Sequence, residues 1–424
     1  MPQYVSCISP VDGSTFAKRP VASKTEIAAA LNAAHAAQAK WKKLSIDERA
    51  AYCSAAVDAM LAMKDEIVPE LAWQMGRPVR YGAGELRGFE ERARHMIAIA
   101  KQSLANLVPA QKDGFTRFIQ REPVGVVFTV APWNYPYLTA VNSIIPALMA
   151  GNAVILKHAA QTILVGERFA KAFQKAKLPK GLFQNLVLSH EQTAKIIASG
   201  EVNMVCFTGS VAGGAAMEQA AVGKFLHVGL ELGGKDPAYV RADANIAHAI
   251  ENLVDGAFFN SGQSCCGIER IYVHKKLWND FVDGAVALTK GYVLGNPLDE
   301  ATTLGPLVKA DAPLVGTGMD FVRKQIAAAT RAGAKAHIDP KSFAMDKKGT
   351  PYMAPQILTG VNHQMSVMME ESFGPVVGIM KVADDEDAIA LMNDSPYGLT
   401  AALWTEDEQA AARIGAELDT GTVF

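Results

Sequence analysis

From Val124 onward the chain alternates short apolar runs with longer mixed stretches, and that rhythm predicts most of its architecture. The apolar runs are Val124–Ala131, Ala153–Lys157, Leu182–Leu188, Val202–Gly209 and Phe225–Leu232. The stretches between them, Leu138–Met149, Thr162–Lys175, Glu191–Ser199 and Ser210–Ala221, read as helices. Continuous Val/Ile/Phe strands alternating with helices imply a parallel sheet covered on both faces. Ligands of such sheets bind beyond the carboxyl ends of the strands, which directs attention to the residues after each run.

Upstream, a short hairpin is expected around Val11-Asp12-Gly13-Ser14. Capping boxes then open two helices, Ser23-Lys24-Thr25-Glu26 for the stretch to Trp41 and Ser45-Ile46-Asp47-Glu48 for the one to Ala62. A third helical pattern runs from about Tyr81 to Leu107, and its Gly82-Ala83-Gly84 lacks the strand and spacing of a nucleotide loop. Phe115–Glu122 alternates apolar and polar residues as a half-exposed strand would. Beyond Asp236 a second α/β region is expected. Its helices are Asn245–Phe258, Leu277–Lys290, Asp320–Ala332 and Glu386–Asn393, and its strands Arg270–Val273 and Val377–Val382.

Candidate chemistry gathers after the strands. Trp133-Asn134-Tyr135 follows the first, Lys157-His158 closes the second, Gly209-Ser210 the fourth, and Glu231-Leu232-Gly233-Gly234-Lys235 the fifth. Ser210 suits either a plain N-cap or a helix N-terminus that receives a pyrophosphate. Farther on, Gly262-Gln263-Ser264-Cys265-Cys266 places two adjacent thiols after a turn. A lone Cys is usually a small buried hydrophobe, but vicinal cysteines rarely pair with each other and lack zinc-knuckle spacing.

In family order, the blocks Pro132-Trp133-Asn134-Tyr135-Pro136, Phe207-Thr208-Gly209-Ser210, Glu231-Leu232-Gly233-Gly234-Lys235, Gly262-Gln263-Ser264-Cys265 and Glu371-Ser372-Phe373-Gly374-Pro375 resemble those of the aldehyde dehydrogenase superfamily. The resemblance spans essentially the whole chain. It implies a Rossmann-like parallel-sheet cofactor domain (1–104 and 124–233), a second α/β catalytic domain (234–424) and a small β oligomerisation element (105–123). It makes Cys265 the nucleophile, Cys266 its neighbour, Glu231 the general base and Asn134 an oxyanion donor. It places Trp133, Lys157, Gly209, Ser210, Leu232, Gly233, Glu371 and Phe373 around the cofactor. Tyr135, Leu138, Thr139, Asn142 and Phe259 fall along the substrate tunnel by position.

The implied reaction is oxidation of an aldehyde to a carboxylic acid with NAD(P), through a thiohemiacetal and a thioester on Cys265. A short or semialdehyde-like substrate fits the mixed polarity of the tunnel. The implied cofactor is NAD, with NADP left open. Strictly NAD-dependent relatives often carry Glu three residues after the Lys, and this chain has Ala160 there; His158 replaces a more usual small residue, and Ser143 a frequent Lys. The alternatives are a catalytically silent fold and a cofactor-independent esterase.

Composition narrows the classes further. With 424 residues, 50% hydrophobic and a net charge of -2, the chain can bury two cores and carries no footprint for nucleic acid or anionic membrane. No apolar stretch reaches membrane-spanning length, the N-terminus lacks a signal-peptide pattern, and no metal site is expected. Five sparse cysteines fit a reducing, cytoplasmic setting. Relatives form homo-dimers or tetramers and continue for several tens of residues past the position of Phe424. The chain is therefore expected to lack one tunnel wall and an exchanged strand, to be weakly active, and to aggregate.

Overall fold

The computed structural model describes residues 3–308 and 318–424. It divides into two compact units, one of Met1–Ile8, Ser14–Gln74 and Tyr81–Glu231, the other of Ser9–Gly13, Met75–Arg80 and Leu232–Phe424.

The first unit opens with the expected hairpin, β1 (Tyr4–Ile8) antiparallel to β2 (Thr15–Pro20). Helices α1 (Lys24–Trp41) and α2 (Ile46–Leu61) each begin with a complete capping box, Ser23 with Glu26 and Ser45 with Glu48. Each box satisfies two backbone N–H groups that the first turn leaves unpaired. Helix α3 (Lys64–Met75) was not anticipated, because Pro69 interrupts its pattern. Burial of Ile67, Leu71, Ala72 and Met75 holds it. Helix α4 (Val79–Ser103) contains Gly82, where a Cβ would come within 2.7 Å of Val68 Cγ1. The glycine there serves close packing.

Then comes the strand–helix series: β3 (Val126–Ala131), α5 (Pro136–Met149), β4 (Ala153–His158), α6 (Ile163–Lys175), β5 (Phe183–Asn185), α7 (His190–Ser199), β6 (Met204–Thr208), α8 (Val211–Ala221) and β7 (His227–Glu231). The five strands pair in the order β5-β4-β3-β6-β7, all parallel. Strands β3 and β4 are buried at every position, as a sheet covered on both faces requires. One expectation fails locally. Residues 105–122 form no continuous strand; they are exposed throughout, joined by the isolated bridges Leu107–Ile119 and Lys112–Phe115. With neither face covered, the alternating pattern there has no core to point into.

In the second unit the elements are β8 (Asp236–Val240), α9 (Ile246–Phe258), β9 (Ile268–His274), α10 (Trp278–Lys290), α11 (Met319–Arg331), β10 (Lys335–Ala336), β11 (Gln356–Thr359), α12 (Ser366–Met369), β12 (Val376–Val382), α13 (Asp385–Asn393), β13 (Thr400–Trp404), α14 (Glu408–Gly415) and β14 (Thr422–Val423). Seven strands run in the order β10-β11-β12-β9-β8-β13-β14, with only the β10–β11 pair antiparallel. The buried side chains of Phe258, Ile271, Val273, Phe281, Ile357 and Ile379 form part of its largest core. Among the described residues no helix is long and apolar enough to cross a membrane.

Candidate active site

In the first unit the singled-out residues lie at the carboxyl edge of the parallel sheet. Trp133, Asn134 and Tyr135 occupy the turn between β3 and α5, with Asn134 buried and the other two half-buried. Lys157 and His158 end β4, and Gly209 and Ser210 follow β6. The Gly209 N–H donates to the Glu231 carbonyl, so the ends of β6 and β7 are tied together. Glu231 itself is exposed, not desolvated as a tuned base would be. A water-accessible carboxylate still suits a group that must take a proton from water.

The N-terminus of α8 suits an anionic ligand. Ser210 caps the helix by accepting from the Gly213 N–H at 3.2 Å. A Cβ on Gly209 or on Gly213 would each meet the Phe207 ring at 2.6 Å, so both glycines are needed to let the backbone fold over that ring. The helix dipole at this end favours negative charge. Lys157 adds a buried cation, and burial lowers its pKa to about 8. His158 adds no charge. Buried between the Pro136 carbonyl (3.2 Å) and the Thr162 hydroxyl (3.1 Å), it is lowered to about 4 by desolvation first of all, and stays neutral.

Helix α5 carries the substrate candidates of this unit. Leu138 and Asn142 lie four residues apart and so share a face. The Thr139 hydroxyl donates to the Tyr135 carbonyl at 2.6 Å, so it is used within its own helix. Helix α4 runs against this face. Glu85 accepts from the Tyr137 and Leu138 N–H groups at 2.9 and 3.0 Å, and a Cβ on Gly88 would come within 2.9 Å of Leu138 Cδ1. One turn on, Arg92 Nη1 lies 3.5 Å from Asn142 Oδ1. Among the described residues Arg92 is paired with no carboxylate, whereas Arg94 holds Asp58 and Glu90. Sequence reading missed Arg92, since only the α4–α5 packing brings it to Asn142.

The second unit brings three of the motif blocks together. A Cβ on Gly234 would lie 2.5 Å from the Cys265 carbonyl oxygen, and one on Gly233 would strike the Glu371 carboxylate. Glu371 accepts from the Gly234 N–H at 3.1 Å. Burial, and then the nearby Glu269, push its carboxyl up to about 7. Gly262, at φ 73°, backs directly onto the Gly374 carbonyl. Leu232, Gly233 and Phe373 are half-buried around this junction, and Phe259 packs under the Arg77 guanidinium at 6.0 Å.

The cysteine loop is held under strain. Asn260 and Ser261 adopt left-handed φ of 54° and 56°, conformations that cost on the order of 1–3 kcal/mol each. Buried contacts over-determine them: Arg77 Nε donates to Asn260 Oδ1 at 3.3 Å, Ser261 Oγ to the Gly305 carbonyl at 2.8 Å, and Val308 N–H to Gln263 Oε1 at 2.8 Å. Beneath the loop the fully buried Lys235 ammonium pairs with Glu269, which also accepts from the Ser372 and Phe373 N–H groups at 2.8 and 3.0 Å. These supports were missed in sequence, where Lys235 read only as part of a motif and Glu269 was not singled out.

Cys265 is partly buried and Cys266 exposed. A hydrogen bond with Cys266, then burial, then the negative charges of Cys266 and Asp236 hold the Cys265 thiol well above its ordinary range. The resting group is therefore a thiol, and a base must take its proton when it attacks.

The sequence profile of the aldehyde dehydrogenase family matches residues 2–424. An aldehyde dehydrogenase of Paenarthrobacter nicotinovorans is 32% identical over 423 residues, covering 99% of this chain and 90% of that protein. A succinate-semialdehyde dehydrogenase [NADP(+)] of Mycobacterium avium is 31% identical, with 99% and 88% covered. Among solved structures, succinic semialdehyde dehydrogenase from Streptococcus pyogenes in complex with NADP+ is 28% identical, with a TM-score of 0.91 over 99% of this chain and 90% of that one.

Proposed function

The chain belongs to the aldehyde dehydrogenase family and oxidises an aldehyde to a carboxylic acid with NAD(P), and we propose that its substrate is a short semialdehyde with an anionic far end. The observation that carries the substrate class is Arg92, a guanidinium that among the described residues pairs with no carboxylate and lies beside Asn142 on the helix that carries the substrate candidates. A guanidinium fork matches a carboxylate bidentately, which a neutral aldehyde cannot use. The names of the mycobacterial and streptococcal relatives support the same class.

In the proposed mechanism Cys265 sulfur bonds to the aldehyde carbon while its proton leaves to a base. Asn134 and the Cys265 N–H hold the resulting oxyanion. A nicotinamide cofactor, when bound, would supply the hydride acceptor that oxidation of this adduct to a thioester needs. Glu231 then takes a proton from water as its oxygen attacks the thioester carbon, the C–S bond breaks, and the acid leaves. Lys157 and Ser210 are proposed for the ribose and pyrophosphate, and Glu371 and Phe373 for the nicotinamide end. Ala160 leaves room beside Lys157 for a 2′-phosphate, so either cofactor is accepted. The five free cysteines support a reducing, cytoplasmic setting, and the exposed Leu107, Phe115, Phe118 and Ile119 support association with a second copy.

Two measurements check this reading. Arg92→Met is expected to lower kcat/KM for succinate semialdehyde by about tenfold, the effect of losing one charge-assisted contact, while leaving butanal unchanged. An equal effect on both aldehydes contradicts the anionic substrate. The second concerns Lys157. Because its folded pKa is depressed, it carries its charge below about pH 8 and loses it above. The KM for cofactor is therefore expected to be flat on the acid side and to rise through that range, with the rise absent in Lys157→Met.

A further inference from the structure

Asp236 opens β8 immediately after the Gly-Gly-Lys turn, and nothing in the mechanism above uses it. It is only 1% exposed, yet its carboxyl is half-satisfied. Oδ2 accepts from the Thr400 hydroxyl on β13, while Oδ1 is buried and makes no hydrogen bond. The backbone at Gly234 shows where Oδ1 points: a Cβ there would lie 2.7 Å from Asp236 Oδ1 and 2.5 Å from the Cys265 carbonyl oxygen. Both oxygens sit against the Gly234 backbone, which places the Asp236 carboxyl beside the Cys265 main chain. Ionised, Asp236 would bring a buried charge there with one oxygen lacking a donor; neutral, it would not.

The electrostatic surroundings agree. Asp236 faces Thr400 on β13, Cys265 and Cys266 in the loop, and Glu269 on β9, the last already bound to Lys235; Glu371 also feels its charge. Burial first, with Cys266 and Glu269 adding to it and Thr400 opposing, lifts the Asp236 carboxyl to about 7. In the other direction, an ionised Asp236 is one of the charges that disfavour a thiolate at Cys265.

We propose that Asp236 is a positioning residue whose charge state sets the reactivity of the Cys265 thiol. While it is neutral, the forming thiolate has no ionised Asp236 near it. Once it ionises, the second negative charge in the same low-dielectric volume opposes loss of the thiol proton. The inference rests on Cys265 being the reacting thiol.

The test reads the thiol directly. Alkylation of Cys265 by iodoacetamide is followed from neutral to alkaline pH on the whole protein, with the modified residue assigned by peptide fragmentation. Asp236→Asn keeps the shape and removes the charge. It is expected to speed alkylation at mildly alkaline pH by about threefold or more, the equivalent of half a pKa unit, and to move the profile to lower pH. Thr400→Val, which removes the donor that stabilises the anion, is expected to shift it the same way by less, and it carries the test if the Asn variant does not fold. A profile in the folded variant that overlies or lags the unaltered protein's, whatever happens to Tm, overturns the proposal. Alkylation needs no turnover, so this outcome is independent of whether Cys265 carries the reaction, which Cys265→Ala decides.

Discussion

Cys265→Ala is expected to lower aldehyde oxidation by about 10⁴-fold or more, because every later step needs a bond to that sulfur. The structure offers a second thiol one residue away, and it makes a sharp control. Cys266→Ala is expected to retain turnover within about threefold. It removes the hydrogen bond that does most to hold the Cys265 thiol protonated, so Cys265 should ionise at lower pH in that variant. NAD(P)H release from the two variants checks both expectations. Comparable losses in the two would mean that the thiols act as a pair, against the assignment of one nucleophile.

Glu231→Gln is expected to separate the reaction into its halves. Thioester formation does not need this carboxylate as the acceptor of a water proton, but hydrolysis does. A rapid release of about one NAD(P)H per chain should therefore be followed by a steady rate lowered by about 10²–10⁴-fold. The exposed position of Glu231 at the end of β7 makes the substitution safe for folding. A loss of the initial release would instead place the residue before the thioester, as base for the thiol.

The parallel sheet of the first unit was legible because its central strands β3 and β4 are buried on both faces, so Val126–Ala131 and Ala153–His158 stand out as apolar runs. Helix starts were legible where chemistry marks them: Ser23 and Ser45 both cap as their side chains suggest. Elements whose signal is tertiary were not. Helix α3 hides behind Pro69, and β11 is four residues with Gln and Thr at its ends. Strand β8 begins at Asp236, a charged residue that reads as a boundary until Thr400 and the β8–β9 register are seen.

The site divides the same way. Cys265, Glu231 and Asn134 were candidates because the motif blocks around them resemble those of the family. What holds the cysteine loop could not. Arg77 reaches Asn260 across 183 positions and Glu269 reaches Ser372 across 103, so local sequence gives no hint of either. Arg92 is a similar case, one of several charged residues on a solvated helix until its contact with Asn142 distinguishes it.

The central claim is that a covalent acyl group passes through Cys265 and leaves by Glu231-assisted hydrolysis. Glu231→Gln mixed with succinate semialdehyde and NADP, then quenched in acid and fragmented, measures it most directly. A succinyl group, added as a thioester to Cys265 and absent from Cys266, is the expected mass. Rapid NADPH release with no adduct on Cys265, or with the adduct on Cys266, would contradict it.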